Sequence, residues 1–218
     1  MAATLPLGYG ARLAGVVVPA DVALSGTVWH GMAVARGYRV MWDSRVWPSV
    51  MAAAWVADLR ISGPDTTLMG QWLLRPGSAT IAPLRGRMGW GLVETVMPGL
   101  EIVCDTVADV DLTSLSLSKS LRQAAGRVQL AAGTCARVDG TVTDVPLPAL
   151  LADIDTSSEG IGVAITGVDA PDVPLGNLLI TPDDRLRVTV HAAGAAMVPG
   201  LPASGDSQIE LPLALFTQ

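Results

Sequence analysis

Ala23 to Arg45 reads ALSGTVWHGMAVARGYRVMWDSR, and the spacing of its glycines decides the fold class. Val28, Val34 and Val40 lie in short runs separated by Gly26, Gly31 and Gly37. Tyr38-Arg39-Val40-Met41-Trp42 alternates polar with apolar residues, the period of a strand with one buried face. Short alternating runs broken by glycine are the signature of hairpins joined by tight turns. On this reading Gly26 and Gly31 make turns, while Thr27, Val28 and Trp29 make a strand that carries Trp29 into the core.

Working outward, the same grammar repeats. Asp58-Leu59-Arg60-Ile61-Ser62 alternates before the turn tripeptide Gly63-Pro64-Asp65. Thr66 to Leu74 reads as a strand that ends at Pro76-Gly77, and Ser78-Ala79-Thr80-Ile81-Ala82 starts the next. Gly126-Arg127-Val128-Gln129-Leu130 alternates, with Gly133 and Gly140 as later turn points. Gly160 to Ile165, Asn177 to Thr181 and Arg185 to His191 read as strands, the last two joined by a hairpin turn at Asp183-Asp184. Gly194 to Ser207 reads as a loop, and Ser207 to Leu213 as a closing edge strand, because Pro212 would interrupt a central one. Helix signals are confined to one or two turns at Pro148 to Asp153 and at Ala11 to Gly15. Strands spaced by roughly 8 to 12 residues predict an all-β, antiparallel, strongly twisted sheet (an open roll, a sandwich or a partial barrel) with at most short helices. No composition shift marks a boundary, so residues 1–218 are expected to form a single β-rich domain.

Composition narrows the function. Half of the residues are apolar, but aromatics make up 4% and charged residues 16%, so the core must be built from Val, Leu, Ala and Ile with the 6 tryptophans as its large pieces. The 23 Gly and 15 Pro cap the length of any regular element. A net charge of −6 opposes nucleic acid, which demands a concentrated basic face. Arg60, Arg75, Arg85, Arg87, Arg122 and Arg127 are scattered and read as outward-facing, solvated charges. No apolar stretch reaches the roughly 20 residues of a membrane helix. Gly8, Tyr9, Gly10 and Arg12 interrupt the opening residues too often for a signal peptide.

Tests for chemistry return little. His30 sits in a turn-like Trp-His-Gly and His191 ends a strand, with no Gly-x-Ser-x-Gly elbow in the chain, so both read as structural. Two His and two distant Cys give no metal-ligand spacing. Asp105, Asp109 and Asp111 lack the glycine-bearing loop of a calcium site and read as solvated strand charges. Gly86-Arg87-Met88-Gly89-Trp90-Gly91 has clustered glycines without a following amphipathic helix, so it reads as bulges or turns rather than a phosphate cradle. No catalytic residue, metal or cofactor is expected. Cys104 and Cys135, both at strand positions, are either two small buried hydrophobes of a cytosolic protein or one disulfide of an oxidising compartment.

The opening stretch resembles the type II secretion system protein N family. In that family a single inner-membrane helix leads into a Leu-Pro segment and then a Ser-Gly-Thr-Leu-Trp-x-Gly block. Here Thr4-Leu5-Pro6-Leu7 precedes Leu24-Ser25-Gly26-Thr27-Val28-Trp29-His30-Gly31, with Val28 in place of the usual Leu. Gly26, Thr27, Trp29 and Gly31 carry the specific part of the likeness. Trp42, Ala57 to Gly63, the Gly133 to Asp144 strand, Asp172 to Gly176 and the Leu-Pro-Leu close at 211–213 follow the family layout. The resemblance implies a periplasmic, non-enzymatic accessory of the type II secretion pathway, anchored in the inner membrane by a helix upstream of Met1. Its partners would be other secretion-system proteins, met through strand edges or an exposed apolar face. It also favours the disulfide for Cys104 and Cys135. The main alternative is a periplasmic β module binding lipid or another hydrophobe on a Val/Leu/Ala-rich sheet. A virion or surface structural protein comes next, and an unusual hydrolase last.

Overall fold

The computed structural model describes residues 21–96, 101–118, 122–141, 144–197 and 205–212. Among them the chain forms sixteen strands and three short helices. The first half contains β1 (Ala23–Gly26), β2 (His30–Ala35), β3 (Tyr38–Ser44), α1 (Val46–Ala52), β4 (Trp55–Gly63), β5 (Thr66–Arg75), β6 (Ser78–Gly89) and α2 (Trp90–Val96). The second contains β7 (Ile102–Asp105), β8 (Val107–Ser118), β9 (Arg122–Leu130), β10 (Gly133–Arg137), β11 (Val145–Leu147), β12 (Leu150–Ser157), β13 (Gly160–Gly167), β14 (Ala170–Ile180), β15 (Arg185–Val190), α3 (Ala192–Ala195) and β16 (Ser207–Pro212).

Thirteen strands join one antiparallel sheet in the order β1-β2-β3-β4-β5-β6-β8-β9-β12-β13-β14-β15-β16, and the sheet does not close into a barrel. Its two edges are β1 and β16, twelve strand spacings apart along the sheet. The remaining three strands pair as β11-β10-β7. That ladder continues the β8–β9 hairpin past a break where the Thr106 hydroxyl donates to the Ala131 carbonyl at 2.6 Å.

Register across the large sheet is continuous. One row runs Gly26–Gly31–Trp42–Leu59–Gly70–Leu84–Leu112–Gly126–Ile154–Val163–Leu178–Val188–Ile209. Every position is apolar or glycine, so the period-2 alternation of each strand adds up to one apolar face. On the opposite face the parallel row is Ser25–Met32–Met41–Arg60–Met69–Arg85–Asp111–Arg127–Asp153–Ala164–Asn177–Thr189–Gln208. Leu59, Leu68 and Val110 of the apolar side are buried, yet no large side chain among the described residues is fully buried. The sheet is open, with β1 and β16 at its two unpaired edges.

Five expectations need correction. Thr27 to Trp29 is a turn, not a strand, and Trp29 is only half-buried. The Thr27 hydroxyl accepts the N–H groups of Trp29 and His30 at 3.3 and 3.2 Å, a local bond that competes with a ladder. Leu150 to Asp153 is strand rather than helix, since β12 has partners on both sides, β9 and β13; pairing outweighs the weak local helix signal. A helix, α2, directly follows Gly89. Ala192 to Ala195 forms α3 ahead of and into the stretch read as loop. The strand read from Gly133 to Asp144 ends at Arg137. Thr4 to Leu7, the Ala11 to Gly15 turn and Leu213 lie outside the described residues.

Candidate functional site

The apolar face is the structure's most extended chemical surface. Trp55 and Trp72 meet edge-to-face on it with ring centroids 6.3 Å apart. Where β6, β8, β9, β12 and β13 run side by side, α2 closes a cleft of about 210 Å³. Met88, Val128, Leu130 and Ile165 line it, with Trp90 and Val93 of the helix. The Trp90 indole N–H donates to the Ile102 carbonyl at 3.2 Å, tying α2 to β7. Tyr38 supports the helix from the other side. Its ring occupies the space where a Cβ on Gly63 would stand 2.3 Å from Cδ1, and its hydroxyl lies against Gly91. Burial pushes the Tyr38 phenol above its ordinary value, against the opposing hydrogen bond with Thr66. The cleft residues escaped the sequence reading because Trp90-x-x-Val93 is one helical spacing in a run dominated by glycine. That i, i+3 pair after Gly89 is the signal that could have found them.

The opposite face carries charge in order. Arg85 pairs with Asp111 and Arg127 with Asp153, each at 2.7 Å, and Arg87 with Asp109 at 3.8 Å. Of the arginines and aspartates singled out in the sequence, Arg85, Arg87, Arg127, Asp109 and Asp111 are therefore cross-strand partners. Among the described residues no group of three or more His, Cys, Asp or Glu is placed to hold a metal. A second, open depression of about 750 Å³ lies over β1 to β5, where Met32, Met41 and Met69 surround Arg60.

Each residue of the family block has a local task. Gly26 has φ +91, and a Cβ there would lie 2.4 Å from the His30 carbonyl oxygen. A Cβ on Gly31 would fall 2.2 Å from the Trp42 ring, whose indole N–H donates to the Val28 carbonyl at 3.2 Å. The Trp29 carbonyl accepts the Ser44 N–H at 2.7 Å. The block thus folds as a glycine-dependent turn clamped by Trp42 and Ser44 of β3.

The two histidines stay apart. His30 Nδ1 lies 2.9 Å from Asp43 on an exposed surface. His191 bridges Asp206 at 3.0 Å and Asn177 at 2.9 Å. Cys104 and Cys135 face each other in register on β7 and β10, with Cα atoms 4.1 Å apart, and are joined by a disulfide. Directly opposed residues of neighbouring antiparallel strands sit side by side, the arrangement a disulfide needs. Among the described residues no helix is long and apolar enough to cross a membrane. Compared with known proteins, the chain matches no protein-family model, no curated protein and no solved structure.

Proposed function

We propose that this chain is a non-enzymatic, periplasmic accessory of the type II secretion pathway that works by contact through the apolar face of its open sheet. The observation that carries the contact mechanism is the apolar row that crosses all thirteen strands of the open sheet. From Gly31 to Val188 the row is half-buried apart from buried Leu59, so partly exposed apolar surface runs across the sheet, and a contiguous surface of that kind marks an interaction site. Two features support the pathway and compartment. The Gly26–Gly31 block that carries the resemblance forms a defined turn whose glycines are sterically required. The Cys104–Cys135 bridge suits an oxidising compartment such as the periplasm.

The test is photocrosslinking in cells from single positions on neighbouring rows. A crosslinker at Val163 or Leu178 is expected to capture identified secretion-system proteins, and one at Ala164 or Asn177 is not. Adducts confined to the polar-face positions would remove the apolar face from the mechanism. Sequencing the genes alongside is the cheaper check: secretion genes are expected, and an unrelated neighbourhood would count against the pathway.

A second reading, hydrophobe binding, is favoured by one observation, the α2-covered cleft. Its lining offers carbon almost throughout, which satisfies an acyl chain but leaves a peptide backbone without hydrogen-bond partners. Native mass spectrometry of protein from the periplasm would show bound lipid on this reading, and protein free of lipid would end it.

A further inference from the structure

α1 inverts the usual orientation of a helix on a globular domain. Val46, Trp47, Val50 and Met51 are 64, 73, 67 and 72% exposed, while Ser49 and Ala52 face the sheet. The inward side is fixed by polar bonds. The Ser49 hydroxyl donates to the Arg45 carbonyl at 2.6 Å and accepts the Val56 N–H at 2.9 Å. Arg75 donates to the carbonyl of Ala52, the last helical residue, at 3.3 Å. The apolar side chains therefore point outward because the backbone is held that way, and the helix itself, VWPSVMA, carries no charge.

We propose that α1 is a membrane-interface contact that seats Trp47, with Val46, Val50 and Met51, among the headgroups and upper acyl carbons of a phospholipid bilayer. Tryptophan suits that layer because its ring is apolar and its N–H polar. Size argues for lipid over protein: seven residues make a helix about 10 Å long, a patch well below the roughly 800 Å² per partner of a stable protein interface. Charge argues the same way. Arg45 is neutralised by Asp58 at 2.6 Å, but Arg75 is exposed and has no carboxylate partner among the described residues. It stands at the C-terminal end of the helix, where a lipid phosphate would meet it.

Co-sedimentation with vesicles of phosphatidylethanolamine and phosphatidylglycerol tests the proposal. The chain is expected to pellet with vesicles, and Trp47→Ser/Met51→Ser to partition about tenfold less, since both side chains would leave apolar contact. Arg75→Gln is expected to lower partition several-fold and to weaken its salt dependence. Because the substituted side chains are exposed, unchanged circular dichroism and melting separate lost contact from lost fold. Absence of pelleting by the wild-type chain would overturn the proposal, as would full retention by the double variant. A fall in molecular mass of the double variant on size exclusion, with vesicle binding intact, would reassign the patch to a second copy and overturn it too. Lipid that stays with the protein after vesicles are removed reports on the α2 cleft instead, so the two sites fail separately.

Discussion

The two faces of the large sheet are made by the same strands and differ by one step along each. Val128 lies in line with Val110 and Ala152, while Arg127, its neighbour in sequence, lies between Asp111 and Asp153. A register slip of one residue anywhere would exchange the two sets. The sheet avoids this at two irregular points. Between Gly70 and Trp72 of β5, β6 runs from Leu84 to Ile81, three steps against two. The extra residue there, at Ala82-Pro83, keeps Ile81 on the apolar side with Trp72. Between Leu112 and Ser114 an extra residue of β8 does the same for Leu115 opposite Ala124. At these two places bulges keep the apolar residues of neighbouring strands on one face.

The three-stranded ladder lacks that device, and the largest expected effect follows from the contrast. Ile102 and Val103 of β7 are about half exposed, so apolar burial holds the ladder weakly. The Cys104–Cys135 bridge, closing a separation of 31 residues, stands in for it. Replacing both cysteines with Ser is expected to lower stability by about 3–4 kcal/mol on the chain-entropy estimate. Denaturant unfolding of the oxidised protein and the double variant gives the difference. A change below about 1 kcal/mol would show that the ladder packs without the bond.

On the large sheet the expected cost depends on the face. Leu68, 3% exposed, stands in register with Ile61 and Gly86 on the apolar side. Leu68→Ala is expected to cost about 2–3 kcal/mol, within the range for a leucine that loses buried apolar contacts. Equilibrium unfolding in urea measures it, and a cost under about 1 kcal/mol would mean the apolar row contributes little.

Most of this alternation was legible in the sequence. Arg127-Val128-Gln129-Leu130 and Asp58 to Ser62 declare a period of two, and Gly63-Pro64-Asp65 and Asp183-Asp184 mark turns that the sheet uses. What could not be read was pairing at a distance. Pro148 to Asp153 has a plausible helix start, and only its flanking partners β9 and β13 make it a strand. Trp29 illustrates the other gap. A tryptophan among apolar residues reads as core, but the Thr27 hydroxyl bends the chain there, and Trp42 rather than Trp29 takes the place in the apolar row. The α2 cleft depends on Tyr38, Gly63 and Gly91 meeting across the fold, which no local window contains.

A smaller effect is expected at the turn that leads into the sheet. Gly26→Ala places a methyl group against the His30 carbonyl at φ +91, a conformation that costs a non-glycine residue about 1–3 kcal/mol. Trp29→Ala, at a half-buried position, is expected to cost less than Gly26→Ala, the reverse of what a core tryptophan would give. Melting temperatures of the two variants decide the order.

The smallest effect separates the faces most sharply. Arg127 and Asp153 are joined at 2.7 Å, but their side chains keep 62 and 49% of their exposure, so water competes for both charges. The attraction is screened by salt, and ordering two side chains offsets part of it. Arg127→Ala is therefore expected to cost under about 1 kcal/mol, with little of that left in 1 M salt. Val128→Ala, one residue along and on the cleft side, removes two half-buried methyl groups and is expected to cost more, by an amount that salt does not reduce. Urea unfolding of both variants at low and high salt compares the faces at adjacent positions of one strand. A larger loss for Arg127→Ala at high salt would mean that the charged row, and not the apolar one, holds the sheet together.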